Sequence, residues 1–258
     1  MNADLVRTGA DGQRKAGISA DALKVIAMVT MAIDHTGAAL FPYAVTLRVI
    51  GRIAFPIYMW LLVMGFVHTS SRKKYMLRMA ALAVVSEFPF DLALTGEWTF
   101  QWQNIYFTLL LSLLLMVVLE KAMDVGGRSR RIAMVGAAVI VSMLLAEWLN
   151  FDYSCTGPVL AAVFYLYYRT GRPDLFAGFF LFCFSRFFNP VLNGEQLTDP
   201  YIWLSCFLNA LLECCGAMAI PFIRNYNGVR KWKRGKAFFY LFYPVHLLIL
   251  YGIRTLFF

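Results

Sequence analysis

Long apolar stretches, separated by short connections that are basic at every second turn, limit the fold of this chain more than any other feature. Crossing about 30 Å of hydrocarbon takes about 20 apolar residues in a helix. Nine stretches approach that length, at residues 22–42, 46–68, 75–95, 104–120, 131–150, 154–169, 174–192, 200–223 and 237–257. The sixth is the shortest and is interrupted by Gly157-Pro158. In lipid every backbone N–H and C=O must be satisfied within the segment, so each stretch predicts a helix. Composition agrees, with 60% of the 258 residues hydrophobic and 15% charged, against roughly 45–50% and 25% in soluble domains. The expected fold is all-α, a polytopic bundle of about nine transmembrane helices. A polar tail, residues 1–21, precedes a single membrane domain, residues 22–258. That tail lacks the apolar core of a cleavable signal peptide.

The basic residues orient the bundle. All of the 24 lysines and arginines except Arg48, Arg52, Arg186 and Arg254 lie in the tail, the first helical turn or alternate connections. Cytoplasmic loops retain such charge, which predicts a cytoplasmic N-terminus and an outer C-terminus. The net charge of +9 is accordingly a topology signal rather than the mark of a nucleic-acid partner. The five cysteines form no CxxC and no Cys/His spacing suited to zinc, so neither a disulfide framework nor a metal site is expected.

Charged groups inside the membrane are costly and usually functional, and here most fall between the midplane and the outer half. The first span carries Asp34 and His35. The second carries Arg48 and Arg52, the third Glu87 and Asp91, each pair four residues apart and on one helix face. Arg186 lies in the seventh span and Tyr243 and His246 in the ninth; Asn104 and Asp152 sit at outer helix ends. The shared depth predicts one polar cavity, with Glu87, Asp91, Asn104, Asp152, Arg186 and Tyr243 as candidate substrate-binding groups. Simpler roles compete: Arg52 as an arginine snorkelling to the surface, Glu87 and Asp91 as counter-ions only, Arg254 as an interfacial anchor. Arg230, Lys231 and Lys233 are either topology signal or a phosphate-binding patch.

His35 and His246 fit proton transfer best, because histidine titrates near neutrality and serves as a general base. Asp34 and His35 are consecutive and point about 100° apart on a helix, so they cannot form a side-chain dyad. An acidic partner for His35 must come from another helix, with Glu87 or Asp91 the candidates.

These residues lie in segments that resemble the TraX family of conjugal-transfer proteins. The segments are LKVIAMVTMAIDHTG (Leu23 to Gly37), LRVIGRIAFPIYMWLLVMGFVHT (Leu47 to Thr69), YMLRMAALAVVSEFPFDLAL, NIYFTLLLSLL, FDYSCTGPVL and FYLFYPVHLLILYGIR. They run in order from about residue 20 to the end. TraX proteins are similar to polytopic membrane acyltransferases, and the activity that the resemblance implies is acetylation of a pilin N-terminus from acetyl-CoA. It places the catalytic groups on Asp34, His35, Arg52 and His246. The implied acceptor is a pilin-like peptide or a glycan at the membrane. Two other classes compete: a proton-coupled secondary transporter, against which the absence of an internal repeat speaks, and a noncatalytic pilus or surface assembly factor.

Overall fold

A computed structural model describes residues 16–185, 200–230, 232 and 236–257. Among these the chain is helical, and its β-type pairing is limited to isolated bridges between Ile18 and Tyr226 and between Gln103 and Phe151. The order is α1 (Ala20–Ala39), α2 (Val45–Gly51), α3 (Ala54–His68), α4 (Arg72–Leu94), α5 (Ile105–Met123) and α6 (Arg128–Trp148). It continues with α7 (Thr156–Thr170), α8 (Asp174–Ser185), α9 (Pro200–Cys214), a 3-10 turn (Cys215–Ala219), α10 (Ile220–Arg224) and α11 (Lys236–Phe257).

Six stretches of the described residues are long and apolar enough to cross a membrane: Ala20–Ala39, Val45–His68, Ile105–Met123, Arg128–Trp148, Tyr201–Arg224 and Phe238–Phe257. The others expected from sequence differ for identifiable reasons. Helix α4 has the length but carries Lys73, Lys74, Arg78, Glu87 and Asp91. Helix α7 has 15 residues. Helix α8 has 12 described residues, and the remainder of the expected seventh span lies outside the described part. The second expected span, one of the six, is built of two helices, α2 and α3, with a break at Arg52-Ile53.

The exterior is apolar. Val84 is 71% exposed, Leu144 64% and Leu181 71%, and the 21-residue α6 buries only Ser142 and Ala146. A surface of this kind needs lipid against it. The interior is apolar too, packed around Leu23, Ile57, Met59, Val63, Leu113, Met116, Leu119 and Leu247, all fully buried. Lipid and core being equally apolar, close packing and interhelical hydrogen bonds hold the helices together.

Those bonds concentrate at helix ends. Asn104 caps α5, its Oδ1 accepting from the Tyr106 N–H at 3.0 Å, while its Nδ2 donates to the Ala83 carbonyl at 2.7 Å. Arg254 Nη1 donates to the carbonyls of Ala93 and Leu94, both at 3.3 Å. It thus caps the C-terminus of α4, where a cation meets the helix dipole. On the basic side, residues counted with the polar tail are tied to the chain before α11. Ile18 N–H donates to Asn225 O at 2.8 Å, Ala20 N–H to Val229 O at 2.9 Å, and Trp232 N–H to Asp21 Oδ2 at 2.8 Å. Helix α11 packs on α4 and α1, bringing the last helix against the first.

Candidate active site

The break between α2 and α3 lies against α1. Asp34 accepts from Arg52 Nη2 at 2.8 Å on both carboxylate oxygens and from Arg48 Nη1 at 2.8 Å on Oδ2; Arg48 Nη1 also reaches the Asp34 carbonyl at 3.0 Å. The four-residue spacing that puts both arginines on one face of α2 lets them share one carboxylate. Gly51 permits the approach: a Cβ there would stand 2.2 Å from Asp34 Cβ and Oδ1. Any side chain at this position must push α2 away from α1.

His35, the next residue on α1, turns toward α11. Its Nδ1 lies 2.7 Å from His246 Nε2, the rings stacked at 5.0 Å between centroids and 12° between planes. His246 Nδ1 is 2.8 Å from the Phe242 carbonyl one turn back. A carbonyl only accepts, so His246 carries its proton on Nδ1 and presents a lone pair at Nε2. His35 then donates through Nδ1–H, and its own lone pair is left on Nε2. The chain Phe242 O, His246, His35 therefore fixes both tautomers from the backbone outward. Tyr243 packs edge-on against His35 and His246, with centroids at 5.8 and 5.7 Å. Pro244, having no N–H, cannot bond the Tyr240 carbonyl, and Tyr106 Oη approaches that carbonyl at 3.5 Å.

A cavity of about 140 Å³ joins these groups, lined by Asp34, His35, Arg48, Gly51, Arg52, Asp152, Tyr153, Phe239 and Tyr243 among others. Its floor comes from the α6–α7 connection, where Tyr153 (φ 61°) stacks on Phe55 at 3.7 Å and lies 5.1 Å beneath the Arg52 guanidinium. Asp152, half-buried in the same connection, has its carboxyl pushed up to about 6, because burial outweighs the attraction of Arg52. Arg52 Nε is buried without a hydrogen-bond partner among the described residues.

Six of the candidate residues from sequence thus meet in one place: Asp34, His35, Arg52, Asp152 and Tyr243 line the cavity, and His246 touches His35. Arg48 belongs with them as a full partner of Asp34. Three others stand elsewhere. Glu87 Oε2 accepts from the backbone and side-chain N–H groups of Asn104, pinning α4 to the start of α5. Asp91 Oδ2 accepts from the N–H groups of Thr99 and Phe100 at 3.1 and 3.0 Å, closing the α4–α5 loop. None of the three lines the cavity; the hydrogen bonds of Glu87, Asp91 and Asn104 join α4 to the loop and helix that follow it. Neither carboxylate orients His35; His246 does. Arg230 is exposed before α11, and Arg186, Lys231 and Lys233 lie outside the described residues. Sequence reasoning passed over Tyr153, Phe239 and Gly51, although Tyr153 stands in the FDYSCTGPVL segment and Gly51 beside Arg52.

Comparison with known proteins places this geometry in a family. No solved structure matches the chain. A curated relative, the probable fimbrial assembly protein FimC, serogroup H1, of Dichelobacter nodosus, is 27% identical over 253 residues, covering 92% of this chain and 96% of that protein. The family model described as TraX protein matches residues 19–254, a stretch that holds every cavity-lining residue named above. The chain therefore belongs to the TraX family.

Proposed function

We propose that the protein is an integral membrane acyltransferase of the bacterial inner membrane. It moves an acetyl group from cytosolic acetyl-CoA to an amino or hydroxyl group of an acceptor at the outer side. The observation that carries this reading is the His35–His246 pair, whose hydrogen bonds leave the His35 Nε2 lone pair in a cavity beside Arg52. The side bearing Lys24, Arg72 and Arg230 is taken as cytosolic on charge grounds. Phe239 lies one turn into α11 from that side, and Asp152 and Tyr153 approach from the other; in this reading the donor enters from the first side and the acceptor from the second.

In this mechanism His35 Nε2 takes the proton from the acceptor as its nitrogen or oxygen attacks the thioester carbonyl. His246 Nε2 accepts the His35 Nδ1–H throughout and shares the positive charge that His35 acquires. Arg52, held by Asp34 and with Nε unused, faces the charge that develops on the carbonyl oxygen in a site of low dielectric. The acyl–sulfur bond breaks and the new amide or ester bond forms; His35 then returns its proton to the departing thiolate. Arg230, with Lys231 and Lys233, provides positive charge for the donor's phosphates on the cytosolic side. The cavity volume suits the thioester end of such a donor rather than its nucleotide.

The relative's description as a fimbrial assembly protein supports an acceptor on or near a surface filament. The test is turnover by the purified full-length chain in nanodiscs. Release of free CoA, together with transfer of labelled acetyl to a pilin-like N-terminal peptide or a glycan, is expected. Proton-coupled uptake into vesicles without CoA release would replace the enzyme with a transporter, and binding without release or uptake would leave an assembly factor.

A further inference from the structure

On the side opposite the basic loops, the α4–α5 and α6–α7 connections meet and form a second concavity of about 420 Å³. Its walls are the aromatic rings of Phe100, Trp102 and Trp148, which are 55%, 56% and 78% exposed. Between them stand three primary amides, Gln101, Gln103 and Asn150, and no charged side chain lines it. Backbone bonds preform it: Gln103 N–H donates to Asn150 O at 3.0 Å, and Asp152 N–H to Gln103 O at 2.8 Å. The non-glycine residues with positive φ among the described residues are Phe100, Asn150, Tyr153 and Ser154, all in these two connections. Backbone held in that region costs free energy and clusters at functional sites. Gln103 is bonded directly to Asp152, and Asp152 lines the His35 cavity.

We propose that this groove is a docking subsite for a neutral carbohydrate, from which one hydroxyl or amino group is presented to the His35 cavity. Exposed aromatic faces stack on the C–H faces of a sugar ring, and primary amides donate to and accept from its hydroxyls. Gln103 Nε2 already donates to the Phe100 carbonyl at 3.0 Å, but an acyl chain would strip water from the Gln101 and Asn150 amides without replacing it. A peptide ammonium or an anionic group would find no opposite charge in the lining. Aromatic rings that served only as an interfacial belt would need neither amides between them nor a hydrogen-bonded tie to the cavity. The purpose assigned to the sugar rests on the acyltransfer reading; its binding does not.

The experiment is saturation-transfer difference NMR on the full-length protein in nanodiscs, with maltotetraose and chitotetraose as neutral probes and a cationic peptide as the contrast. It is run without acetyl-CoA and repeated on His35→Ala. Saturable binding of at least one oligosaccharide is expected, with aromatic-to-sugar transfer, and unchanged in His35→Ala. Trp102→Ala and Trp148→Ala each weaken it about tenfold or more, a loss of about 1.4 kcal/mol. Gln101→Ala, an exposed position where folding is not at stake, weakens it too. Tyr43→Ala, at an aromatic 96% exposed on the same side but outside the groove, leaves it intact. No binding of either sugar, preference for the peptide, or equal losses in Tyr43→Ala and Trp102→Ala would overturn the proposal. Sugar binding by a protein that, when given acetyl-CoA separately, releases no CoA with either the sugars or a pilin-like peptide would refute the acyltransferase and leave the groove standing.

Discussion

Replacing Asp34 by asparagine keeps the shape of the side chain and removes the charge that two arginines share. In the native protein its carboxylate lies 2.8 Å from Nη1 of Arg48 and from Nη2 of Arg52, with side-chain exposures of 9% for the acid, 28% for Arg48 and 12% for Arg52. The amide has one acceptor oxygen for both guanidiniums, and its NH₂ faces a cation. Breaking a buried pair by removing one partner typically costs about 3–5 kcal/mol. Arg48 can turn toward solvent and relieve part of the repulsion, which sets the expectation near the lower end, about 3 kcal/mol. That is a large fraction of a total stability of about 5–15 kcal/mol. The assay is thermal unfolding of detergent-purified protein for Asp34→Asn, Arg48→Gln, Arg52→Gln and the two double variants. Asp34→Asn should unfold well below wild type, and adding Arg48→Gln should recover part of the loss by removing one orphaned cation. A coupling energy near zero in both cycles, or wild-type stability in Asp34→Asn, would refute the assignment of Asp34 as the shared counter-ion.

Arg52→Lys should insert and fold but lose most acetyl transfer, because all N–H groups of a lysine sit on one nitrogen, which cannot rest against Asp34 and also place a donor where Arg52 Nε stands; Arg48→Lys should lose less in rate than in stability. Near-normal turnover in Arg52→Lys would return that residue to a purely structural role. Gly51→Ala should destabilise the fold more than an ordinary helical Gly→Ala change, since its Cβ would meet Asp34 at 2.2 Å, and thermal unfolding measures this. Asp152 sets a pH dependence. Its folded carboxyl sits near 6 against an unfolded value near 3.8, so folding favours its protonated form, and its contribution to stability is lost as pH rises through that window. Asp152→Asn should therefore be no less stable than wild type at pH 7.5. In the wild type, protonation of Asp152 below about pH 6 leaves Arg52 with less compensating charge beside the cavity. The acid limb of the rate profile should thus flatten in Asp152→Asn, and an unchanged limb would assign it to another group.

Much of the site was legible because a charge in an apolar segment is a strong signal. Asp34, Arg52 and His246 each stood out against twenty or so apolar neighbours, and the angle between Asp34 and His35 already forbade a local dyad. The same signal at Glu87, Asp91 and Asn104 leads outside the cavity. Their roles depend on how residues 95–104 fold back to offer N–H groups, which no helical spacing encodes. Six stretches of the described residues are long and apolar enough to cross a membrane, and the break at Arg52-Ile53 within one of them, like the 15-residue length of α7, is not something hydropathy encodes. Phe239 and Tyr153 were hidden by abundance, since an aromatic in a chain with 23 phenylalanines and 13 tyrosines carries little information. Gly51 was hidden because its role is the absence of a side chain.

The histidine pair is the central claim, and acetyl-transfer rates of four variants at matched folded concentration test it most directly. His35→Ala and His35→Gln remove the Nε2 base and should each lower the rate by about 10²-fold or more. His246→Ala leaves His35 Nδ1–H without its acceptor and should cost less than His35→Ala. His246→Gln supplies a carbonyl oxygen that can accept that N–H, so it should recover part of the activity lost in His246→Ala. A His35→Gln protein that turns over normally, or a dead His246→Ala beside an active His35→Ala, would contradict the assignment.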